Sequence, residues 1–436
     1  MLKTTLSALL LFLCLFSIAQ FPNPAIVGYW ENWNGTKFVA LKDIDPRYNV
    51  IHVSFASAKA GTDYDLEFVQ PSNYTVSKFK SEMAALQSDG KKVFISLGGQ
   101  NDPMTLDSDS EKDAFISSVN AIVDDWGFDG IDIDFEGTSM HFTDINVSAP
   151  GDPKQQRLIA AIQAILANHQ TTHGERLLLT MAPETIYVQG ALSKWAGNYR
   201  GAYLPIIEAL SDDIDMINVQ LYNSGNMFGV DGASGGEFSQ ATPDFLVAMT
   251  EALIRGFVAV EGRGTYSGIE ASKVGIGLPG CAGWGYTTPA DIEAAVNYLR
   301  GDGPKPGNYT LKKSGGYPDL RGMMTWSINS DAKCSPSYGY VSTYEKLFTV
   351  GTGVFDQDLP KKESLLFPNP VTETLYFNEP ISGNISIMDA KGNKIIENME
   401  VSKNSKINVS DFPSGLYQAR IQSPNGGFKL TTFVKK

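Results

Sequence analysis

Apolar and polar residues alternate in blocks along residues 25–350. Short, nearly continuous apolar runs are typical of buried strands, and longer segments with apolar residues every three to four positions are typical of amphipathic helices. The strand-like runs lie at residues 25–30, 49–56, 92–98, 130–136, 177–184, 215–223, 274–280 and 322–329. The clearest helical patterns lie at residues 111–126, 154–168, 203–210, 244–255 and 290–299. This alternation predicts the α/β class and a (β/α)8 TIM barrel.

A doubly wound open sheet is the alternative α/β architecture. Such a sheet would carry a glycine-rich phosphate loop directly after its first strand. Here the first strand ends in Tyr29-Trp30-Glu31-Asn32-Trp33, which is unlike that loop. The sequence therefore favours the barrel.

The pattern changes in the last part of the chain. Residues 351–364 read as a linker, and short apolar runs alternate with turn residues at 374–377, 384–388, 415–421 and 428–434. This spacing predicts a small antiparallel β-sandwich over residues 365–436. Residues 361–436 carry ten Lys and Arg against seven Asp and Glu, which also distinguishes them from the acidic barrel domain, residues 20–350.

Residues 1–19 are predicted to be a secretory signal peptide. Lys3 precedes an apolar run, and Ser17-Ile18-Ala19 fits the small-residue cleavage rule, so the mature chain would begin at Gln20. The run is shorter than the roughly 20 residues of a membrane span. A lipoprotein cut before Cys14 stays open as an alternative, although the bulky Leu13 disfavours it. We expect a secreted protein with no membrane segment after processing.

Composition narrows the set of partners. The net charge of −13 argues against electrostatic binding of nucleic acid or anionic lipid. It does not oppose the binding of a neutral sugar polymer. Four His and three Cys are few and scattered, so we expect no metal site and no cofactor. Export permits a disulfide between Cys281 and Cys334, but two free thiols fit the sequence equally well. A monomer is the default expectation.

The strongest chemical signal lies at the end of the predicted fourth strand. Because side chains alternate along a strand, Asp132, Asp134 and Glu136 share one face, and the apolar residues between them share the other. Three carboxyls that point into a barrel repel one another, so at least one is expected to stay protonated near neutral pH. A solvated acidic edge or a Mg²⁺ or Ca²⁺ site are the alternatives, and both fit a central barrel strand poorly.

The spacing Asp-x-x-Asp-x-Asp-x-Glu over residues 129–136 resembles the signature of the glycoside hydrolase family 18 chitinases. Ser96-Leu97-Gly98-Gly99, Met181-Ala182-Pro183-Glu184, Gln220-Leu221-Tyr222-Asn223 and Thr325-Trp326 resemble the motifs of the third, fifth, sixth and eighth strands of that family. Each motif falls at the expected strand.

The resemblance implies a substrate-assisted mechanism that retains the anomeric configuration. Glu136 would be the general acid and later the base, and the acetamide of the substrate would be the nucleophile, through an oxazolinium ring. Asp134 would orient that acetamide, Asp132 would share a proton with Asp134, and Tyr222 would hydrogen-bond the acetamide carbonyl. Trp326 would be the floor beneath the sugar.

Further residues at the strand ends and in nearby loops are candidates for substrate binding. Core packing is the competing interpretation for several of them, above all for Phe55 and Met181. The candidates are Met181, Asn223, Gln220, Tyr29, Phe55, Trp33, Trp284 and Glu184.

The tail resembles the C-terminal sorting domain of the type IX secretion system. The matching residues are Phe367-Pro368-Asn369-Pro370, the turn at 389–392, Leu416-Tyr417 and the terminal Lys-Leu-Thr-Thr-Phe-Val-Lys-Lys. The resemblance implies export through the periplasm by that machinery, with an extracellular or surface-attached product. A carbohydrate-binding β-module is the alternative, but the tail contains no Trp.

Chitin or chito-oligosaccharides are the substrates that the resemblance implies. An endo-β-N-acetylglucosaminidase acting on N-glycans and a non-catalytic chitin-binding lectin are the alternative functions. Only 41 residues separate Cys281 from Arg321, counting both, which leaves no room for the insertion domain of some family members. An open cleft and endo-acting cleavage are therefore expected.

Overall fold

The computed structural model describes residues 21–193, 199–283 and 285–348, and in the C-terminal part residues 366–367, 371–377, 383–389, 394–402, 405–422 and 428–436. The chain divides into two compact units, Met1–Gly353 and Val354–Lys436. The predicted signal peptide and linker lie outside the described residues.

Eight parallel strands form a closed barrel in the first unit. Each strand pairs with its neighbours in chain order, and the last strand pairs with the first. This closure confirms the TIM barrel and excludes the open sheet. The strands are β1 (Ala25–Glu31), β2 (Val50–Ala58), β3 (Lys92–Gly98), β4 (Gly130–Asp134), β5 (Leu178–Met181), β6 (Met216–Gln220), β7 (Val274–Pro279) and β8 (Gly322–Trp326).

Helices cover the outside of the barrel. They are α1 (Val76–Ser88), α2 (Asp109–Trp126), α3 (Pro153–His173), α4 (Leu204–Ala209), α5 (Pro243–Arg255), α6 (Pro289–Arg300), α7 (Ile328–Lys333) and α8 (Gly339–Phe348). Between β1 and β2, where every residue is described, a single 3-10 turn at Leu41–Asp43 takes the place of the first helix.

Local sequence fixes the helix ends. Ser108 begins α2 with a capping box to Glu111, which satisfies free amide groups at the start of the helix. Gly127 and Gly174 end α2 and α3 in the left-handed conformation that glycine adopts without a steric penalty.

Several strands are shorter than predicted, among them β5 and β6, which were expected over residues 177–184 and 215–223. The fourth predicted strand extends to residue 136, but β4 stops at Asp134 because a 3-10 turn starts at Gly137. The eighth predicted strand extends to residue 329, but β8 stops at Trp326 because Ser327 caps α7. Glu136 keeps an extended backbone, with φ −125° and ψ 170°, so its side chain still follows the alternation of β4.

The alternation along the strands produces two apolar clusters. The larger cluster lies between strands and helices and includes Trp30, Ile131 and Ile133. The smaller cluster includes Val27, Phe94 and Met324, and Phe55 and Trp326 pack against it at the upper end. Polar residues of the same inward-facing set lie above this apolar floor.

The second unit consists of antiparallel strands. A four-stranded sheet has the order Lys394–Val401, Gly383–Asp389, Gly415–Gln422, Phe428–Lys435, and three short strands, Leu366–Phe367, Thr374–Phe377 and Ile407–Asn408, pair beside it. Leu375, Ile387 and Phe433 are buried in one core between them. This strand-rich unit agrees with the predicted small β-domain.

None of the helices in the described part of the chain has the length and apolar character needed to cross a bilayer.

Candidate active site

The acidic residues of β4 occupy defined levels of the barrel interior. Strand register places Asp132 between Ser96 on β3 and Thr180 on β5. Both hydroxyls donate to the Asp132 carboxylate, each at 2.7 Å, and the Tyr29 hydroxyl donates to it at 2.6 Å. Asp132 is therefore held by three hydroxyl donors, and its charge acts on Asp134. The proton that the resemblance implies Asp132 shares with Asp134 stays a prediction.

Gln220 connects the two upper carboxyls. Its side-chain amide donates to Asp134 at 2.9 Å, to Glu136 at 3.2 Å and to the carbonyl of Ala182 at 3.0 Å. Gln220 ends β6 and pairs with Glu184 through a parallel bridge, so backbone pairing sets the position of this amide.

Burial and neighbouring charges raise the pKa values of both upper carboxyls. For Asp134, burial acts first and the charges of Glu136 and Asp132 add to it, so that its pKa lies well above the usual value. Burial, followed by the negative charge of Glu184, raises the pKa of Glu136 to about 7. The hydrogen bond between the two carboxyls raises the pKa of Asp134 and lowers that of Glu136. Of the two carboxyls, Asp134 is therefore the one whose protonated form is more strongly favoured.

Glu184 lies at the edge of this group. Burial raises its pKa, whereas hydrogen bonds from the Gly137 amide and the Tyr187 hydroxyl lower it. Glu184 acts on Glu136 by charge and lines the same cleft.

Tyr222 follows β6 and faces the carboxyls. It is 9% exposed, and burial together with the charges of Asp134 and Glu136 raises the pKa of its phenol well above the usual value. The phenol therefore keeps its proton at neutral pH and can donate a hydrogen bond into the cleft.

Aromatic rings form the base of the cleft. Trp326 stacks on Phe55 with ring centroids 5.7 Å apart and contacts Tyr29 at 5.5 Å and Trp33 at 6.2 Å. Trp33 is 46% exposed, although large apolar side chains are usually covered. Flat, partly exposed rings of this kind offer a surface for the apolar face of a sugar.

Two features fix the backbone at the end of β4. The Tyr203 hydroxyl accepts from the amide of Phe135 at 2.8 Å and donates to its carbonyl at 3.1 Å. Gly98 has a φ of +96°, and a Cβ there would lie 2.9 Å from the carbonyl oxygen of Asp134. Only glycine allows β3 to pass this close to the end of β4.

These groups line a cleft of about 710 Å³. Several of its residues come from the end of β2 and from the segments after β1, β2 and β3, and sequence patterns did not single them out. A weak signal was available, since all of them lie at or after a strand end on the side where barrel enzymes bind ligands. They are Asn32, Ser57, Glu67, Val69, Gln100, Asn101 and Asp102.

Most of the predicted site residues meet at this cleft. Phe55, Trp33, Trp326, Gln220, Tyr222, Asn223, Glu184, Asp134 and Glu136 line it. Tyr29 and Asp132 are buried directly beneath, and Tyr29 contacts Asp132 and Trp326. Asn223 has a φ of 53°, a left-handed conformation that Asn tolerates better than most residues.

Two predicted binding residues are not placed at the cleft. Met181 is fully buried and belongs to the cluster between strands and helices, because it has the opposite parity to the inward-facing Thr180. The structure therefore corrects the prediction that Met181 lines the cleft, because this side chain packs in the core instead. Trp284 lies outside the described residues.

Cys281 and Cys334 form a disulfide, with Cα atoms 5.6 Å apart. The bond joins the segments that follow β7 and β8, next to the strand that carries Trp326. This resolves the alternative that the sequence left open.

Two family descriptions match the chain. The one for glycosyl hydrolases family 18 matches residues 25–294, and the one for a secretion system C-terminal sorting domain matches residues 365–436.

Relatives of known name share much of the sequence. Chitinase Chi52 of Paenibacillus xylanexedens is 41% identical over 70% of this chain and 58% of its own length. Chitinase ChiA of Flavobacterium johnsoniae is 32% identical over 88% of this chain but only 26% of its own length. The chain thus spans little more than half of the first of these relatives and about a quarter of the second.

A solved structure has the same fold. The crystal structure of a family GH18 chitinase from Chromobacterium violaceum superposes with a TM-score of 0.66 and 32% identity, covering 76% of this chain and 85% of that one.

Proposed function

Since this chain belongs to family 18 of the glycosyl hydrolases, we propose that it is a secreted chitinase. It hydrolyses β-1,4 linkages between N-acetylglucosamine units in chitin and chito-oligosaccharides, with retention of configuration. The names of its chitinase relatives support the substrate class. The observation that carries the proposal is the placement of Glu136, with its pKa raised to about 7, beside Asp134 in the aromatic cleft.

In the first step, Glu136 donates its proton to the glycosidic oxygen. The carbonyl oxygen of the substrate's own acetamide attacks the anomeric carbon as the bond to the leaving sugar breaks, and an oxazolinium ring forms. Because the nucleophile belongs to the substrate itself, the attack is intramolecular. This can lower the activation barrier by up to about 7–11 kcal/mol. A carboxyl with a pKa near 7 is well suited to this proton transfer.

Asp134 and Tyr222 act on the acetamide. The protonated phenol of Tyr222 donates to the acetamide oxygen and orients it, and Asp134 accepts from the acetamide N–H. As positive charge develops on the ring, the proton of Asp134 moves to Asp132, so that Asp134 becomes the counter-charge and Glu136 stays a carboxylate for the second step. Asp132, fixed by its three hydroxyl donors, supports Asp134 from below.

In the second step, Glu136 works as a base. A water molecule gives a proton to the Glu136 carboxylate and attacks the anomeric carbon, and the bond from that carbon to the acetamide oxygen breaks. The two inversions at the anomeric carbon together retain its configuration.

Trp326 is proposed to stack beneath the sugar whose bond is broken, and Trp33 and Val69 are proposed to contact a neighbouring sugar. Trp33 and Val69 are unusually exposed for apolar residues, at 46% and 61%. Because the cleft is built within one chain, we propose that the protein acts as a monomer. The open cleft suits endo-acting cleavage, within the chitin chain rather than at its ends. The sorting tail supports export through the periplasm by the type IX machinery, to the medium or the cell surface.

The test compares Glu136→Gln with Glu67→Gln, the same substitution at another carboxyl of the cleft. Both variants and the parent are assayed on colloidal chitin and on a high-mannose glycoprotein, with products identified by mass spectrometry. We expect chito-oligosaccharides from the parent and from Glu67→Gln. Glu136→Gln should lose at least about 10²-fold in rate, the loss expected for a general acid.

The other outcomes each favour a different function. Released N-glycans with untouched chitin would make the protein an endo-β-N-acetylglucosaminidase. Chitin binding without any cleavage would make it a lectin. An α-anomer as the initial product, detected by NMR, would contradict retention.

A further inference from the structure

Three side chains with metal-ligating atoms meet at one corner of the barrel's helical layer. Asp124 lies in the last turn of α2, and His169 and His173 lie in the last two turns of α3. One ligand atom from each residue lies within 4.8 Å of the others. The spacing of four residues places the two imidazoles on the same face of one helix.

The distances agree with the geometry of a bound ion. Nε2 of His173 is 2.9 Å from Oδ1 of Asp124, and the two imidazole centroids are 4.4 Å apart. Ligands at about 2.0–2.2 Å from a zinc ion lie roughly 3 Å from one another. Small side-chain rotations would therefore bring all three atoms onto one ion without moving the helices.

The surroundings favour a cation. α2 and α3 both end here, and the free carbonyls of a helix C-terminus carry partial negative charge. Glu175, two residues after His173, also acts on His169 through its charge. The whole chain has a net charge of −13.

We propose that Asp124, His169 and His173 bind a divalent transition-metal ion of the zinc class. Two imidazoles and one carboxylate are a ligand set that zinc accepts, with water completing the coordination. The ion would tie the ends of α2 and α3 together. From the sequence, we expected the four His residues to be too scattered for a metal site. That expectation overlooked that His169 and His173 are four residues apart, about one helical turn.

The site is separate from the reaction. In a (β/α)8 barrel each helix runs antiparallel to the preceding strand, so helix C-termini lie at the end opposite the cleft. The proposal therefore predicts an effect on stability and none on chitin hydrolysis.

The experiment titrates ZnCl2 into the tag-free, metal-stripped full-length protein by calorimetry. His173→Gln and His169→Gln are compared with His141→Gln, which changes a His of the barrel unit outside the cluster. We expect one ion per chain. His173→Gln and His169→Gln should each weaken zinc binding at least about tenfold. In other metalloproteins, loss of a residue that only hydrogen-bonds a metal ligand already weakens metal binding by about that factor. His141→Gln should bind like the parent.

Thermal unfolding gives a second measure. Zinc at about 100 times its dissociation constant should favour the folded state about 100-fold in the parent and His141→Gln, and much less in His173→Gln. The His173 side chain is 38% exposed, so this variant should fold normally, and circular dichroism verifies that it does. Absence of binding up to about 1 mM zinc, or equal affinity in the parent and both cluster variants, would overturn the proposal.

Discussion

At the scale of single residues, the reactivity of Glu136 depends on its neighbours. Burial and the charge of Glu184 raise its pKa, whereas the hydrogen bonds from Gln220 and Asp134 lower it. Glu136 itself is one carboxyl among many in the chain, and this combination of contacts brings its pKa to about 7, as its proposed role as proton donor requires.

The first prediction concerns the pH dependence of kcat/KM on a soluble chito-oligosaccharide. A general acid must be protonated at the start, so activity should fall as pH rises through about 7, the pKa of Glu136. Glu184→Gln removes a negative charge, lowers the pKa of Glu136 and should move this fall to lower pH. Gln220→Leu removes a donor to the carboxylate, raises that pKa and should move the fall to higher pH.

Glu67→Gln is the control for both variants, because Glu67 lines the cleft but is not among the groups that shift the pKa of Glu136. Its pH profile should match that of the parent. Shifts of the same sign in Glu184→Gln and Gln220→Leu would contradict the assignment of Glu136 as the titrating acid.

At the scale of elements, the strand ends and the segments after them bring the site together. β4 supplies the carboxyls, β6 supplies Gln220, and β8 ends in Trp326. The disulfide between Cys281 and Cys334 joins the segments after β7 and β8, so it restrains the backbone next to Trp326.

The second prediction concerns this bond. It joins cysteines 53 residues apart, and a cross-link of that size restricts the unfolded chain. Replacing both cysteines by Ser should lower the free energy of unfolding by about 2–4 kcal/mol. Urea unfolding measures the difference, and a reductant should destabilise the parent by a similar amount.

The same reductant should leave the Cys281→Ser/Cys334→Ser protein unaffected, which serves as the control. An unfolding midpoint of the parent that does not respond to the reductant would show that the bond does not contribute to stability.

At the scale of the whole molecule, the chain consists of two compact units with separate cores. All residues that line the cleft belong to the barrel unit. The tail matches a sorting domain, so we expect it to serve export and to contribute nothing to catalysis.

The third prediction follows from that separation. Truncation after residue 350 should leave kcat/KM on soluble chito-oligosaccharides and sedimentation with chitin unchanged. A loss of activity on insoluble chitin alone would make the tail a carbohydrate-binding module instead. Circular dichroism of the truncated chain verifies that the barrel unit folds.

The sequence by itself determined the features that depend on local pattern. Apolar periodicity located eight strands and the main helices, and the order of the strands identified the barrel. Alternation along β4 placed Asp132, Asp134 and Glu136 on one face, because that property needs only the two-residue period of a strand.

Only the tertiary structure decided which distant residues meet. Strand register gave Asp132 its partners Ser96 and Thr180, parity buried Met181 away from the cleft, and packing of α2 on α3 brought Asp124 to His173. Pairing of Cys281 with Cys334 was settled in the same way. These contacts join residues far apart in the chain, and their distances depend on how the strands and helices pack rather than on any local spacing.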